Sequence, residues 1–262
     1  MTARLAEVLA DLAAEGDRLE ALVAPLDEQA WRTPTPAPGW TVAHQVAHLA
    51  WTDEAAVAAA TDQQAWDALV LAALANPEGF ADEEAARGAT ATSAEILARW
   101  RSSRRRLAET LAALPEGTRL PWYGPPMSAT SMATARFMET WAHARDVADA
   151  LGVTLPADDG VRHVVHLGVR TRDFAFGSRG LDAPDEEFRV SLRLPGGSTA
   201  EHGPPAAAQT VTGSAYDFAL LVTQRVHRDD TDLEAVGEDA NAWLDVAQAF
   251  AGPSGDGRAP RG

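Results

Sequence analysis

The sequence predicts an α+β fold: a four-helix bundle over residues 1–155, a small α/β domain over 156–252, and a tail over 253–262 without fixed structure. Three observations lead there. Four long stretches of helical apolar periodicity fill the first part of the chain. After TLPADDG, which ends at Gly160, helices alternate with a stretch of strand alternation. The last residues, PSGDGRAPRG, carry no apolar pattern at all.

The first helix is expected from Thr2 to Val23, with Leu5, Val8, Leu9, Leu12, Leu19, Leu22 and Val23 on one stripe. TPTPAPGW then breaks the chain, and Thr41 offers an N-cap hydroxyl for a second helix whose Val42, Val46, Leu49 and Val57 face inward. A short helix from Gln64 to Leu74 is expected within a long connection. Thr92 or Ser93 caps a third long helix, carrying Trp100, Leu107, Leu111 and Leu114 at helical spacing. LPEGTRLPWYGPPMSAT interrupts the pattern, and a fourth helix runs from Ser131 to Leu151, closed by Gly152. Two of the four helices are joined by long connections, as in bundles with crossover loops. Beyond lie a helix from Gly160 to Phe176 and a strand alternating Phe188, Val190, Leu192 and Leu194. A second strand is expected at QTVTG, with helices over SAYDFALLVTQRV and DANAWLDVAQAFAG.

Composition excludes several functions. No apolar run approaches the roughly 20 residues that span a bilayer. The N-terminus has acids spread through an amphipathic helix, unlike a secretory signal, so no membrane association is expected and the cytoplasm is the expected location. The net charge of −16 repels a phosphate backbone, and the one dense basic cluster (Arg99, Arg101, Arg104, Arg105, Arg106) sits on a predicted helix. Nucleic acid is therefore not an expected partner. Cysteine is absent, so there is no disulfide, no Cys–zinc site and no thiol nucleophile. Lysine is absent too, which excludes a lysine Schiff base.

Two patterns carry chemistry. Glu139 and His143 lie four residues apart on the fourth helix, hence on one face, within a stripe of Met132, Ala135, Asp146 and Ala150. His44 and His48 stand one turn apart on the second helix among apolar neighbours. Either pattern alone is most often a surface pair or two unrelated histidines. Together, on two helices of one bundle, they point to a metal, because bundle cores hold metals with inward Glu and His side chains and a buried carboxylate needs a cation or donors. Without cysteine the donor set suits zinc first, or nickel, iron or manganese.

PGWTVAHQVAHLA and ETWAHARDVADALG together resemble the mycothiol-dependent maleylpyruvate isomerase family of the DinB-like superfamily, with Pro38, Gly39, Trp40, His48, Leu49, Glu139, His143 and Asp146 at the motif positions. VTGSAYDFALLVTQRVHRDD and DANAWLDVAQAF resemble that family's sterol-carrier-like second domain, so the resemblance covers nearly the whole chain. It implies His48, Glu139 and His143 as the metal ligands, with His44 lining the site, and Arg225 as a catalytic residue binding a substrate carboxylate. Asp146 would orient His143, or else pair with Arg145 or Arg162. Arg136 could bind an anion as Arg225 does. Trp40, Trp51, Trp122, Tyr123 and Met127 would wall the substrate site, and the loop from Pro115 to Thr130 would cover it as a lid. Arg145 stands where close relatives carry an aromatic residue, which puts the pocket shape in question.

The implied activity is that of a metal-dependent isomerase or transferase acting on a small anionic molecule. It would use a low-molecular-weight thiol such as mycothiol, in a monomer or homodimer. A metal-dependent hydrolase and a non-catalytic metal-containing binding protein are the alternatives: the first would turn over without thiol, the second would fill its coordination sphere, with His44 as fourth ligand.

Overall fold

Side-chain caps set the ends of the helices that carry the first unit, and apolar stripes set which way they face. α1 (Ala3–Val23) starts where the Thr2 hydroxyl accepts the Leu5 N–H at 3.2 Å. α2 (Val42–Thr61) and α3 (Gln63–Ala75) follow, with Asp62 as the N-cap of α3. Next come α4 (Phe80–Gly88) and α5 (Ser93–Ala113), the latter begun by a Thr92–Glu95 capping box. A two-stranded hairpin, β1 (Arg119–Leu120) and β2 (Met127–Ser128), leads into α6 (Ala129–Leu151). Ser128, not a residue further on, caps α6, and Gly152 closes it in the left-handed conformation, at φ 65°.

The structure is a computed structural model and describes every residue except Pro253, Asp256 and Gly262. The chain divides into two compact units, Met1–Leu155 and Pro156–Gly262. Its α+β class is the one the sequence predicts.

In the first unit α2 is the central helix, packed by α3, α4, α5 and α6, while α1 packs on α6. Val42, Val46, Leu49 and Ala50 of α2 lose all exposure against Leu19, Val23, Ile96, Trp100 and Val147. A second cluster gathers Leu5, Val8, Val57, Leu107, Leu111 and Met132. Such a helix, buried on nearly every side, holds its polar residues to a strict standard: each needs a partner.

α4 has no counterpart among the expected helices. Its nine residues, FADEEAARG, are short of a full apolar stripe, with only Phe80 and Ala85 buried, and a close approach helps to dock it. A Cβ on Gly88 would come within 2.8 Å of the Ala47 Cβ, so the glycine lets α4 lie against α2.

In the second unit the expected helix from Gly160 to Phe176 is two helices, α7 (Arg162–Arg170) and α8 (Arg172–Ser178), divided at Thr171. The Thr171 hydroxyl bonds back to the Leu167 and Gly168 carbonyls and to the Gln248 carbonyl. A four-stranded sheet has the order β4-β3-β5-β6, from β3 (Phe188–Arg193), β4 (Thr199–His202), β5 (Gln209–Ser214) and β6 (Glu234–Val236). β3 and β5 run parallel, with Val190 opposite Val211, and the outer strands pair antiparallel. α9 (Ala215–Val222) ends short of the expected 226 because Gln224 takes φ 60°, and α10 (Glu238–Val246) brings Trp243 edge-on to Phe188 and Phe218. Of the expected unstructured tail, Pro253, Asp256 and Gly262 lie outside the described residues, and the described part holds no helix or strand. No helix among the described residues is long and apolar enough to cross a membrane.

Candidate metal centre

α2 and α6 bring three side chains to one point. His48 Nε2 and His143 Nε2 each lie 3.2 Å from the same carboxylate oxygen, Glu139 Oε2. The three donor atoms fall within 4.8 Å of one another, and no other group of three or more His, Asp or Glu among the described residues does so. Both imidazoles are about nine-tenths buried, while the Glu139 side chain keeps 22% of its exposure. The cluster is therefore reached from the glutamate side. Burial alone would raise the Glu139 carboxyl, but the His143 and His48 hydrogen bonds and charges outweigh it and hold it well below the usual carboxylate range.

The donor set fits a divalent cation. His143 Nδ1 faces the side-chain oxygen of Gln45, a group that only accepts, so Nδ1 carries the proton. Neutral His143 then turns the lone pair of Nε2 toward a carboxylate oxygen that also carries lone pairs. That contact is repulsive until a proton or a cation lies between the two atoms. His48 differs: its Nδ1 is buried without a hydrogen-bond partner among the described residues, so on that edge only packing holds the ring. Two nitrogens and one oxygen leave further coordination positions open, the arrangement of catalytic rather than structural sites.

An aromatic wall extends from the cluster. The Trp40 indole stacks on His143, centroids 5.8 Å apart and planes at 11°, and lies 5.3 Å from His48. Trp51 lies 5.8 Å from His48 and meets Phe80 edge-on at 5.2 Å. Phe80 reaches Tyr123, and Tyr123 packs with Trp122 and Trp66, themselves stacked at 5.6 Å. Thus Trp40, Trp51, Trp122 and Tyr123, all expected from sequence, form one continuous surface. Phe80 and Trp66 complete it and were not anticipated. Each sits in a short helix whose sequence gave no reason to place it near His48, Glu139 and His143. Burial, then Glu84, push the Tyr123 hydroxyl up to about 12, so it stays a donor.

Other candidates have different partners. Arg136 is buried, its Nε 3.1 Å from Asp53 Oδ1 and its Nη2 donating to the Thr52 hydroxyl, so two of its nitrogens already have protein acceptors. Arg145 donates to Glu15 on α1 and lies over the Trp141 ring at 4.1 Å. His44 Nδ1 takes the Thr41 N–H at 3.3 Å and the Thr41 hydroxyl at 2.8 Å, closing the first turn of α2. Asp146 is buried on α6, three residues past His143. Arg225 belongs to the second unit, just past α9, and donates to the Thr223 carbonyl.

Residues 12–148, just over half of the chain, match the mycothiol maleylpyruvate isomerase N-terminal domain family. The chain belongs to that family. All three ligands of the candidate centre lie in the matched span. Two uncharacterized proteins, from two strains of Mycobacterium tuberculosis, are each 58% identical over 250 residues, covering 95% of this chain and 97% of theirs. The crystal structure of the mycothiol-dependent maleylpyruvate isomerase matches with a TM-score of 0.59 at 19% identity, over 90% of this chain and 95% of that one. A mutant of that enzyme matches at 0.60 and 18%, over 89% and 96%. At that identity the likeness is one of fold.

Proposed function

We propose that this family member is a metal-dependent enzyme that uses a low-molecular-weight thiol of the mycothiol kind to isomerise, or transfer to, a small anionic molecule. The observation that carries the reading is the convergence of His48, Glu139 and His143 on one point at the foot of an aromatic wall. The three side chains would hold a divalent cation, zinc first. When bound, that cation would supply Lewis acidity, favouring the thiolate of an incoming thiol at neutral pH. The thiol must come from outside, because the chain contains no cysteine.

The chain's own residues divide the remaining work. Trp40 covers one face of His143 and keeps water from it. Trp51 closes the side of His48. Phe80 and Tyr123, packed edge to face, extend an apolar wall beside which an unsaturated substrate can lie, and the Tyr123 hydroxyl can donate a hydrogen bond to it. Asp146, buried three residues past His143, adds a negative charge on the same helix, while the His143 Nδ1 proton is directed at Gln45.

Metal analysis of the purified protein, with His48→Ala and Glu139→Ala beside it, tests the centre. About one equivalent of a single divalent metal is expected in the wild type and a substoichiometric amount in both variants. Turnover of an unsaturated acid should then require added thiol. A wild-type protein that holds no metal and ignores a chelator overturns the reading, and thiol-independent turnover moves it to hydrolysis.

A further inference from the structure

We infer that Gln45 is a positioning residue of this centre: it fixes the nitrogen that His143 presents to the metal and ties that ligand to the loop carrying Trp40. The inference rests on the metal reading above.

Gln45 lies three residues before His48 on α2, so both project from the same face, and it is fully buried between Val42, Val46 and Leu49 of the same helix. An amide in such surroundings is costly unless both its ends are satisfied. Both are, and the partners leave no choice of orientation. The Trp40 carbonyl can only accept, so the Thr35 hydroxyl donates to it, at 3.0 Å. With its proton spent, the Thr35 oxygen accepts from the Gln45 amide nitrogen at 2.8 Å. The amide oxygen is thereby turned toward His143 Nδ1, which must be the protonated nitrogen. Nε2 is left with its lone pair, aimed at the point shared with His48 and Glu139. An amide flip would break the relay at two places.

The far end of the relay is the loop itself. Thr35 N–H also bonds to the Trp40 carbonyl at 2.8 Å, and Val42 N–H to the Thr33 carbonyl at 3.1 Å, so residues 33–42 form a closed turn. Gly39, at φ 77°, makes the reversal that delivers Trp40. The Trp40 indole N–H is fastened to Asp82 on α4 at 2.8 Å while its ring stacks on His143. His143 is thus gripped at its Nδ1 edge by Gln45 of α2, itself tied to the loop through Thr35, and on its face by Trp40 of that loop.

Three variants separate this from a glutamine that merely fills the core. Gln45→Leu keeps the volume and removes both arms. Gln45→Glu keeps the acceptor for His143 and removes the donor to Thr35. Thr35→Val spares His143 and cuts the tie to the loop. Cobalt(II) is the probe, read by chelator competition and by the visible spectrum of the loaded protein. Gln45→Leu is expected to bind cobalt about 10–100-fold more weakly with a shifted ligand-field band. Gln45→Glu should bind at or above the wild-type affinity. Thr35→Val should bind near it while proteolysis within residues 33–40 quickens. If Gln45→Leu does not fold, Gln45→Asn, whose shorter side chain withdraws the acceptor, should show the same loss. Wild-type affinity and spectrum in the Leu or Asn variant overturn the inference and leave the metal reading standing. A wild type that binds no cobalt overturns the metal reading itself.

Discussion

Two kinds of buried carboxylate cross the same bundle, and they are neutralised differently. Asp53 and Glu15 are each met by an arginine from α6: Arg136 at 3.1 Å in one case, Arg145 in the other. Their charge is balanced from within the chain, although burial still pushes the Asp53 carboxyl up against the pull of Arg136. Glu139 lies on the same helix, three residues past Arg136, and its partners are two imidazoles. An imidazole cancels a carboxylate only while protonated. The guanidinium pairs carry their own counter-charge as they stand. The histidine pair is complete only with a proton or a cation added, and this is what makes the Glu139 cluster, rather than the other two, the candidate site.

The largest expected effect breaks the closed side of this comparison. Removing one partner of the inner pair, as Arg145→Met, strands Glu15 with no exposure and only Arg18, at 2.7 Å, to answer it, and should cost about 3–5 kcal/mol. Replacing both, Glu15→Met with Arg145→Met, should recover most of that loss, since a packed apolar pair avoids the desolvation altogether. Urea denaturation of the three variants measures it, and metal content should stay at the wild-type level throughout. Loss of metal in Arg145→Met would mean that the two clusters are not independent.

A somewhat smaller effect is expected on the open side. With free metal at a hundredfold its dissociation constant, binding adds about 2.7 kcal/mol to stability, and a chelator should remove that amount and no more. Glu139→Ala should already lack it, so its unfolding temperature should not respond to the chelator. An equal chelator response in wild type and variant would place the metal elsewhere.

The two sides were not equally legible in the sequence. The ligand helices announce themselves, because α2 and α6 carry long apolar stripes and because Glu139 with His143, like His44 with His48, falls one turn apart. The aromatic wall was legible only in part. Trp40 and Trp51 flank the candidate ligand His48 in sequence, but Phe80 belongs to α4, a nine-residue helix too short to show clear periodicity and seated by the space at Gly88. Gln45 was hidden by its neighbours: one amide in an apolar run reads as a tolerated polar residue. Its place three residues before His48, on a helix buried nearly all round, was the available signal. The edge strands β4 and β6 are short and half exposed, so their identity comes from pairing with β3 and β5, a long-range property that local alternation does not carry. Arg136 and Arg145 looked like pocket residues because sequence gives their position on α6 but not the carboxylates on α2 and α1 that claim them.

The smallest expected effect sharpens the comparison within α2, between two histidines one turn apart. His48 points Nε2 at Glu139, whereas His44 spends Nδ1 on the Thr41 N–H and hydroxyl. His44→Ala should therefore behave as the loss of a helix cap, costing about 1 kcal/mol, with metal affinity unchanged. It should also change the pH response. Burial, with Arg32 nearby, lowers the His44 imidazole below its ordinary value, so the folded chain keeps it neutral where the unfolded chain takes up a proton. That group stabilises less as pH falls below about 6.5, the ordinary histidine value, and the loss continues until the folded-state imidazole titrates in turn. The gap in stability between wild type and His44→Ala should accordingly narrow across that window in urea titrations with chelator present. A gap independent of pH would deny His44 its neutral cap, and metal lost on His44→Ala would make it a fourth ligand and give the cluster the filled sphere of a binding protein.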